Sequence, residues 1–186
     1  RPTATSLELA AKLLPLVRGA VCVHVRTGLM LETCATRKVP GCARPDDEMH
    51  GRARSIDVRD VSAFLDGALR HRPDAPLFVA TDSSSLRAAL RQAYGDRVRL
   101  APWEPDPFAS YQTGGGSRGG TSLKRRNSTF APQALERTFA EWYALTHCDT
   151  ILASRSGFSR TAAAVAYAIR NASVYYVTHP RDSRRC

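Results

Sequence analysis

The sequence predicts an α/β fold: a Rossmann-like parallel sheet with helices on both faces. Three observations predict it. Short apolar runs of strand length alternate with amphipathic runs of helical length through most of the chain. The run Leu77-Phe78-Val79-Ala80 is apolar throughout, as expected of a parallel strand buried on both faces. Polar turns rich in Thr, Ser, Asp and Gly stand between strand and helix, where a helix cap belongs.

Taken in order, residues 7–17 place Leu7, Leu9, Ala10, Leu13, Leu14 and Val17 at helical spacing, with Thr5 and Ser6 as caps. Pro15 should end or kink that helix. Residues 21–26 alternate Val21, Val23 and Val25 with Cys22, His24 and Arg26, a short strand that turns at Thr27-Gly28. Residues 28–56 show no period and read as a long functional loop. Residues 57–72 repeat Val58, Val61, Phe64, Leu65, Ala68 and Leu69 as a helix that His71-Arg72-Pro73 closes. After the strand at 77–80, Thr81-Asp82-Ser83-Ser84 caps a helix over 84–94, and 98–101 forms a third strand.

Residues 102–131 change character. They carry Pro102, Pro105, Pro107 and the run TGGGSRGG, a flexible insertion with the basic end Lys124-Arg125-Arg126. The glycines lack the GxxxxGK[ST] spacing and a preceding apolar strand, so they are not a phosphate loop. Pro132 opens an amphipathic helix with Leu135, Phe139, Trp142, Tyr143 and Leu145. Residues 150–153 are a strand, 158–170 an Ala-rich helix and 174–177 the last strand. The domain therefore spans 20–178, between a helical segment at 1–19 and a basic tail at 179–186.

The 186 residues are 43% hydrophobic, enough for one domain with a real core. No apolar run approaches the ~20 residues of a membrane-spanning helix. No signal peptide is visible, and the first residue is Arg1 rather than Met, so the sequence reads as a piece of a longer or processed protein. Net charge is +10, nearly all from Arg, but the arginines are scattered rather than striped. The five cysteines form no CxxC, which argues against a zinc site. Cys34 and Cys42 could bridge a loop; Cys22 and Cys148 read as core residues. Sequons stand at Asn127-Ser128-Thr129 and Asn171-Ala172-Ser173.

Three predicted strand ends share one sheet edge: His24 with Arg26, Thr81 with Asp82 and Ser83, and Ser154 through Gly157. Ligands of open α/β sheets bind outside that edge. A guanidinium, hydroxyls and the amides opening a helix at Ser156 and Gly157 suit a diphosphate. The plainer readings stand beside this one. His24 can be a satisfied core histidine, Arg26 a surface ion-pair partner, and Asp82 and Ser83 helix caps. Phe139, Trp142 and Tyr143 fit a core better than a stacking platform, and His147 fits a contact with its helix C-terminus.

HVRTG, LFVATDSSSL and AEWYALTHCDTILASRSGFSRTAA, in this order and spacing, resemble the donor-binding half of GDP-fucose-dependent fucosyltransferases. The similarity covers roughly 20–170 and is to the α1,6- and α1,2-type enzymes and to protein O-fucosyltransferases. It implies the C-terminal half of a GT-B glycosyltransferase, transferring fucose from GDP-fucose with inversion to a glycan or protein hydroxyl. It implies a metal-independent reaction without a cofactor, and an address in the secretory pathway, in the Golgi. By the same resemblance Arg26 binds the β-phosphate, and His24 and Glu141 lie near the guanine or ribose. Thr27, Gly28, Asp82, Ser83, Ser154, Ser156, Gly157 and Phe158 complete the donor site. Glu32 stands one residue from the family's acidic base, in a loop where Leu29-Met30-Leu31 replaces more polar residues.

The chemistry supports those roles. A departing nucleoside diphosphate gains charge that Arg26 and helix-end amides can meet, at about 3 kcal/mol per well-placed donor. The acceptor hydroxyl needs a base, and Glu32 is the carboxylate that follows the first strand most closely. Two other readings compete. One is a sugar- or nucleotide-binding domain without catalysis. The other is a basic module that binds nucleic acid through Arg125, Arg126 and the tail.

Overall fold

The computed structural model describes residues 2–25, 58–70, 72–105, 132–154 and 156–176. Its centre is a five-stranded sheet: β1 (Val21–Val25), β2 (Leu77–Thr81), β3 (Val98–Leu100), β4 (Thr150–Ala153) and β5 (Ser173–Tyr176). The order across the sheet is β3-β2-β1-β4-β5, and every neighbouring pair is parallel. Among the described residues five α-helices surround it: α1 (Ala4–Val17), α2 (Val58–Leu69), α3 (Ser84–Tyr94), α4 (Pro132–Leu145) and α5 (Gly157–Arg170). The chain is a Rossmann-like α/β domain, as the alternation of runs predicts.

The pleat of β1 sorts its side chains onto two cores. Val21, Val23 and Val25 pack with Leu77 and Val79 of β2 against Val61, Leu65 and Leu69 of α2 and Leu86 and Leu90 of α3. Cys22, Phe78, Ala80, Ile151 and Ala153 face the other way. They meet Ala10, Leu13 and Val17 of α1, Ala140 and Ala144 of α4, and Ala162, Ala163 and Ala166 of α5. The helices that follow β1 and β2 thus cover one face, and those flanking β4 cover the other.

Local chemistry sets the boundaries. The hydroxyl of Thr3 accepts from the amide of Ser6 at 3.1 Å, so α1 starts three residues before the apolar stripe and is capped by Thr3 rather than Thr5 or Ser6. Pro15 lies inside the last turn of α1, which runs on to Val17 before Gly19, at φ +68°, turns the chain into β1. Ser83 caps α3 by accepting from the Leu86 amide at 3.1 Å. Asn171 ends α5 in the left-handed conformation, its amide donating to the carbonyls of Ala166 and Tyr167.

Cys22 and Cys148 are core residues, as the sequence predicts, and the structure adds a bond between them that the sequence reading does not contain. Both are fully buried, and they form a disulfide across a separation of 126 residues, with Cα atoms 6.2 Å apart. Cys22 lies on β1, and Cys148 sits in the turn between α4 and β4. The parallel pairing of Cys22 with Ile151 draws that turn beneath β1. Cys34 and Cys42 lie outside the described residues.

Several scattered arginines secure the edge where the strands begin. Arg72 donates to the carbonyl of Gly19 at 3.1 Å, Arg97 to that of Ala75 at 3.0 Å and Arg99 to that of Leu16 at 3.1 Å. These guanidinium groups tie down chain entering β1 and β2. Three of the 27 basic residues therefore have structural work at the edge opposite the strand C-termini.

Candidate functional site

In the strand order β3-β2-β1-β4-β5, chain connections diverge between β1 and β4. Such a switch point opens a crevice at the strand C-termini, where open α/β sheets take their ligands. His24 and Ala153 are register partners across that gap, and the Ser154 amide donates to the His24 carbonyl at 2.8 Å. The ends of β1 and β4 are thus hydrogen-bonded where the crevice begins.

His24 lies on the α5 side of β1 and is buried. Its ring stacks on Phe158, with centroids 4.6 Å apart and planes 29° from parallel. Its Nδ1 is hydrogen-bonded to the hydroxyl of Ser159. That hydroxyl also meets the Ser156 hydroxyl at 2.8 Å and the Ser154 hydroxyl at 3.3 Å. A hydroxyl has one proton and two lone pairs, so these contacts occupy Ser159 and fix the ring from behind. Ser159 is 1% exposed, which suits a positioning group and not a nucleophile. The satisfied-histidine reading of His24 holds for Nδ1.

The start of α5 differs in one respect from the sequence reading, which assigns free amides to Ser156 and Gly157. The Ser156 amide donates to the Ser154 carbonyl at 2.8 Å, and the Ser156 hydroxyl caps Ser159 at 3.1 Å. The amides of Gly157 and Phe158, the first two of the helix, have no acceptor among the described residues. Orphan donors and the positive helix end therefore fall at Gly157 and Phe158. A Cβ at Gly157 would meet nothing within 4 Å, so the space beside it is open.

Asp82 is half-buried at the end of β2, beside Thr81 and Ser83. The helix cap is Ser83 and not Asp82; its hydroxyl, buried and spent on Leu86, follows the capping reading. Arg26, Thr27, Gly28 and Glu32 lie outside the described residues, as do Arg125, Arg126 and the basic tail.

The side chain of Glu141 is held by two other elements of the fold. Its Oε1 accepts from the indole N–H of Trp103 at 3.0 Å and from the Arg87 guanidinium at 3.3 Å. Arg87 comes from the first turn of α3 and also donates to the Trp103 carbonyl at 2.6 Å. One cluster thus joins α3, α4 and the segment after β3. Burial pushes the Glu141 carboxyl from 4.5 up to about 7, while Arg87 and Trp103 pull the other way. Arg87 is 6% exposed, and its Nε has no partner among the described residues.

Arg87, Trp103 and Ser159 are absent from the site as the sequence predicts it. Ser159 had a visible signal, three residues after the cap Ser156 on the same helix face. Arg87 had a weaker one, a cation between Leu86 and Leu90 on a helix with a buried side. Phe139, Trp142 and Tyr143 form an aromatic row, Trp142 and Tyr143 packing against the core. The ring of His147 contacts the Tyr143 carbonyl at 3.0 Å, at the end of α4 as expected. Among the described residues no three His, Cys, Asp or Glu side chains are grouped to hold a metal ion, and no helix is long and apolar enough to cross a membrane.

The strand order and the two helix layers define the class, a Rossmann-like α/β domain with its topological switch point between β1 and β4. No protein-family model matches the chain, and no curated protein matches its sequence.

Proposed function

We propose that the chain is the donor-binding half of a GT-B glycosyltransferase that transfers fucose from GDP-fucose, with inversion, to a glycan or protein hydroxyl. The observation that carries this reading is the meeting of His24 with the start of α5 at the switch point. An aromatic imidazole, orphan helix amides and three serines converge where a nucleotide would lie. In this reading the diphosphate rests on the Gly157 and Phe158 amides, and Arg26 takes the β-phosphate. His24 addresses the nucleoside, its ring held by Ser159 and Phe158. Glu141 contributes Oε2, because Oε1 is taken by Trp103 and Arg87. Asp82 faces the ribose or base.

The reaction would break the bond between the fucose anomeric carbon and the diphosphate. The charge that develops on the leaving group is met by Arg26 and the helix end, arranged in advance. Glu32 takes the proton of the acceptor hydroxyl as it attacks from the opposite side. The buried bridge between Cys22 and Cys148 supports an oxidising, secretory compartment, the Golgi in this proposal.

A thermal-shift panel of GDP, UDP, ADP and GDP-sugars tests the reading. A ligand held only by the folded state raises the melting temperature, so GDP and GDP-fucose should raise it most. Arg26→Ala should abolish that shift and leave the ligand-free melting temperature unchanged. No shift with any nucleotide, together with steeply salt-dependent RNA or DNA affinity, would overturn the proposal in favour of a nucleic-acid module.

A further inference from the structure

We propose that Asn171 is a modification site that carries an N-linked oligosaccharide. The motif Asn171-Ala172-Ser173 satisfies the acceptor pattern, and the structure places it well. Asn171 is exposed at the C-terminus of α5, in the left-handed conformation at φ 53° and ψ 39°. Its backbone amide closes the helix, whereas its side-chain amide makes no hydrogen bond among the described residues. Ser173, also exposed, begins β5 at the sheet edge, held by its amide to the Asp149 carbonyl at 2.9 Å. The acceptor nitrogen and the hydroxyl that marks the motif therefore both lie on the surface.

Two further observations point the same way. The fully buried bridge between Cys22 and Cys148 suits a chain that folds in an oxidising lumen, the compartment where such oligosaccharides are attached. The exposed apolar side chains also gather here. Tyr167 is 64% exposed, Ile169 63% and Tyr175 51%, on the last turn of α5 and the adjoining strand. A bulky, solubilising glycan on Asn171 would shield this apolar surface. Its placement spares the crevice, because the 14 residues of α5 separate Asn171 from Ser156. At about 1.5 Å per residue that is roughly 20 Å.

The donor is an oligosaccharide linked to a lipid through a diphosphate. The Asn171 side-chain nitrogen forms a bond to C1 of the first sugar. The bond from C1 to the diphosphate oxygen breaks, its electron pair leaves with the lipid diphosphate, and the amide gives up one proton. No electrons are transferred to or from an outside partner.

The test routes the full chain into the endoplasmic reticulum of a eukaryotic cell with a cleavable leader, in an Asn127→Gln background. Molecules with the Cys22–Cys148 bridge formed are selected by peptide mapping. One mobility step should then be removed by peptide N-glycanase, which leaves Asp at position 171. Asn171→Gln and Ser173→Ala should both remove the step, and Ser173→Thr should keep it. Ser173→Ala leaves the helix cap intact, so its result does not depend on α5 folding without Asn171. An unmodified Asn171 in the bridged protein would overturn the proposal, whatever the chain does with GDP.

Discussion

The two faces of the sheet solve the same packing task with different materials. Beneath α2 and α3, Val21, Val23, Val25, Leu77 and Val79 meet Leu65, Leu86 and Leu90 in an aliphatic core. Beneath α1, α4 and α5 the contacts are mostly alanine, reinforced by the buried Cys22–Cys148 bridge. That second layer also admits His24, Ser154 and Ser159 where the crevice opens. Small side chains bury less apolar area per residue, so the alanine face gains less from transfer out of water. Among the described residues a covalent link crosses only that second layer. The face that carries polar chemistry is thus the one held by a cross-link.

The strongest way to break this comparison is to remove the cross-link. Cys22→Ala with Cys148→Ala should cost up to about 5 kcal/mol, the chain-entropy value for a loop of this length. Denaturant unfolding of the pair against the parent measures it, and a loss below about 1 kcal/mol would mean that the alanine face stands without help. The aliphatic face should fail by cavity instead. Leu65→Ala, at a fully buried position, should cost about 2–5 kcal/mol. On the alanine face the opposite change is the damaging one: Ala163→Leu should cost about 1–3 kcal/mol by overpacking.

The buried acid sharpens the contrast through pH. With its carboxyl raised from 4.5 to about 7, Glu141 keeps a proton in the folded chain that the unfolded chain has lost. Its contribution to stability is therefore complete below about 4.5 and is lost as pH rises through about 7. Melting temperature should fall across that window, and Glu141→Gln should flatten the slope. The smallest expected effect is at Ser159→Ala, about 1 kcal/mol for the lost hydrogen bond to the imidazole nitrogen. Nuclear magnetic resonance of the His24 ring should show a changed tautomer or titration in that variant, and an unchanged ring would remove Ser159 from its positioning role.

Strand and helix positions were readable because they rest on local periodicity. The bounds 150–153 of β4 and 84–94 of α3 agree with the structure to the residue. Errors gathered where a boundary depends on one cap, as at Thr3, or where packing carries a helix past a proline, as at Pro15, two residues before α1 ends. The site was readable as a set of strand ends, because parallel topology places them on one edge. Its supports were not. The Cys22–Cys148 bridge spans 126 residues, and Arg87 reaches Glu141 across 54, so no spacing rule connects them. The spacing of Ser159 from Ser156 is visible in the sequence, but its partner His24 lies 135 residues away and only the fold brings the two together.

The bridge joins β1 to the turn leading into β4, the two strands that border the crevice. Its loss would therefore reach past thermodynamics to the placement of the strand ends at the switch point. A chain produced in a reducing cytosol would keep its main-chain ladder there but lose the bolt under its floor. Material from an oxidising host is the proper starting point for testing the proposed donor binding, since the bridge ties down the two strands on either side of the switch point.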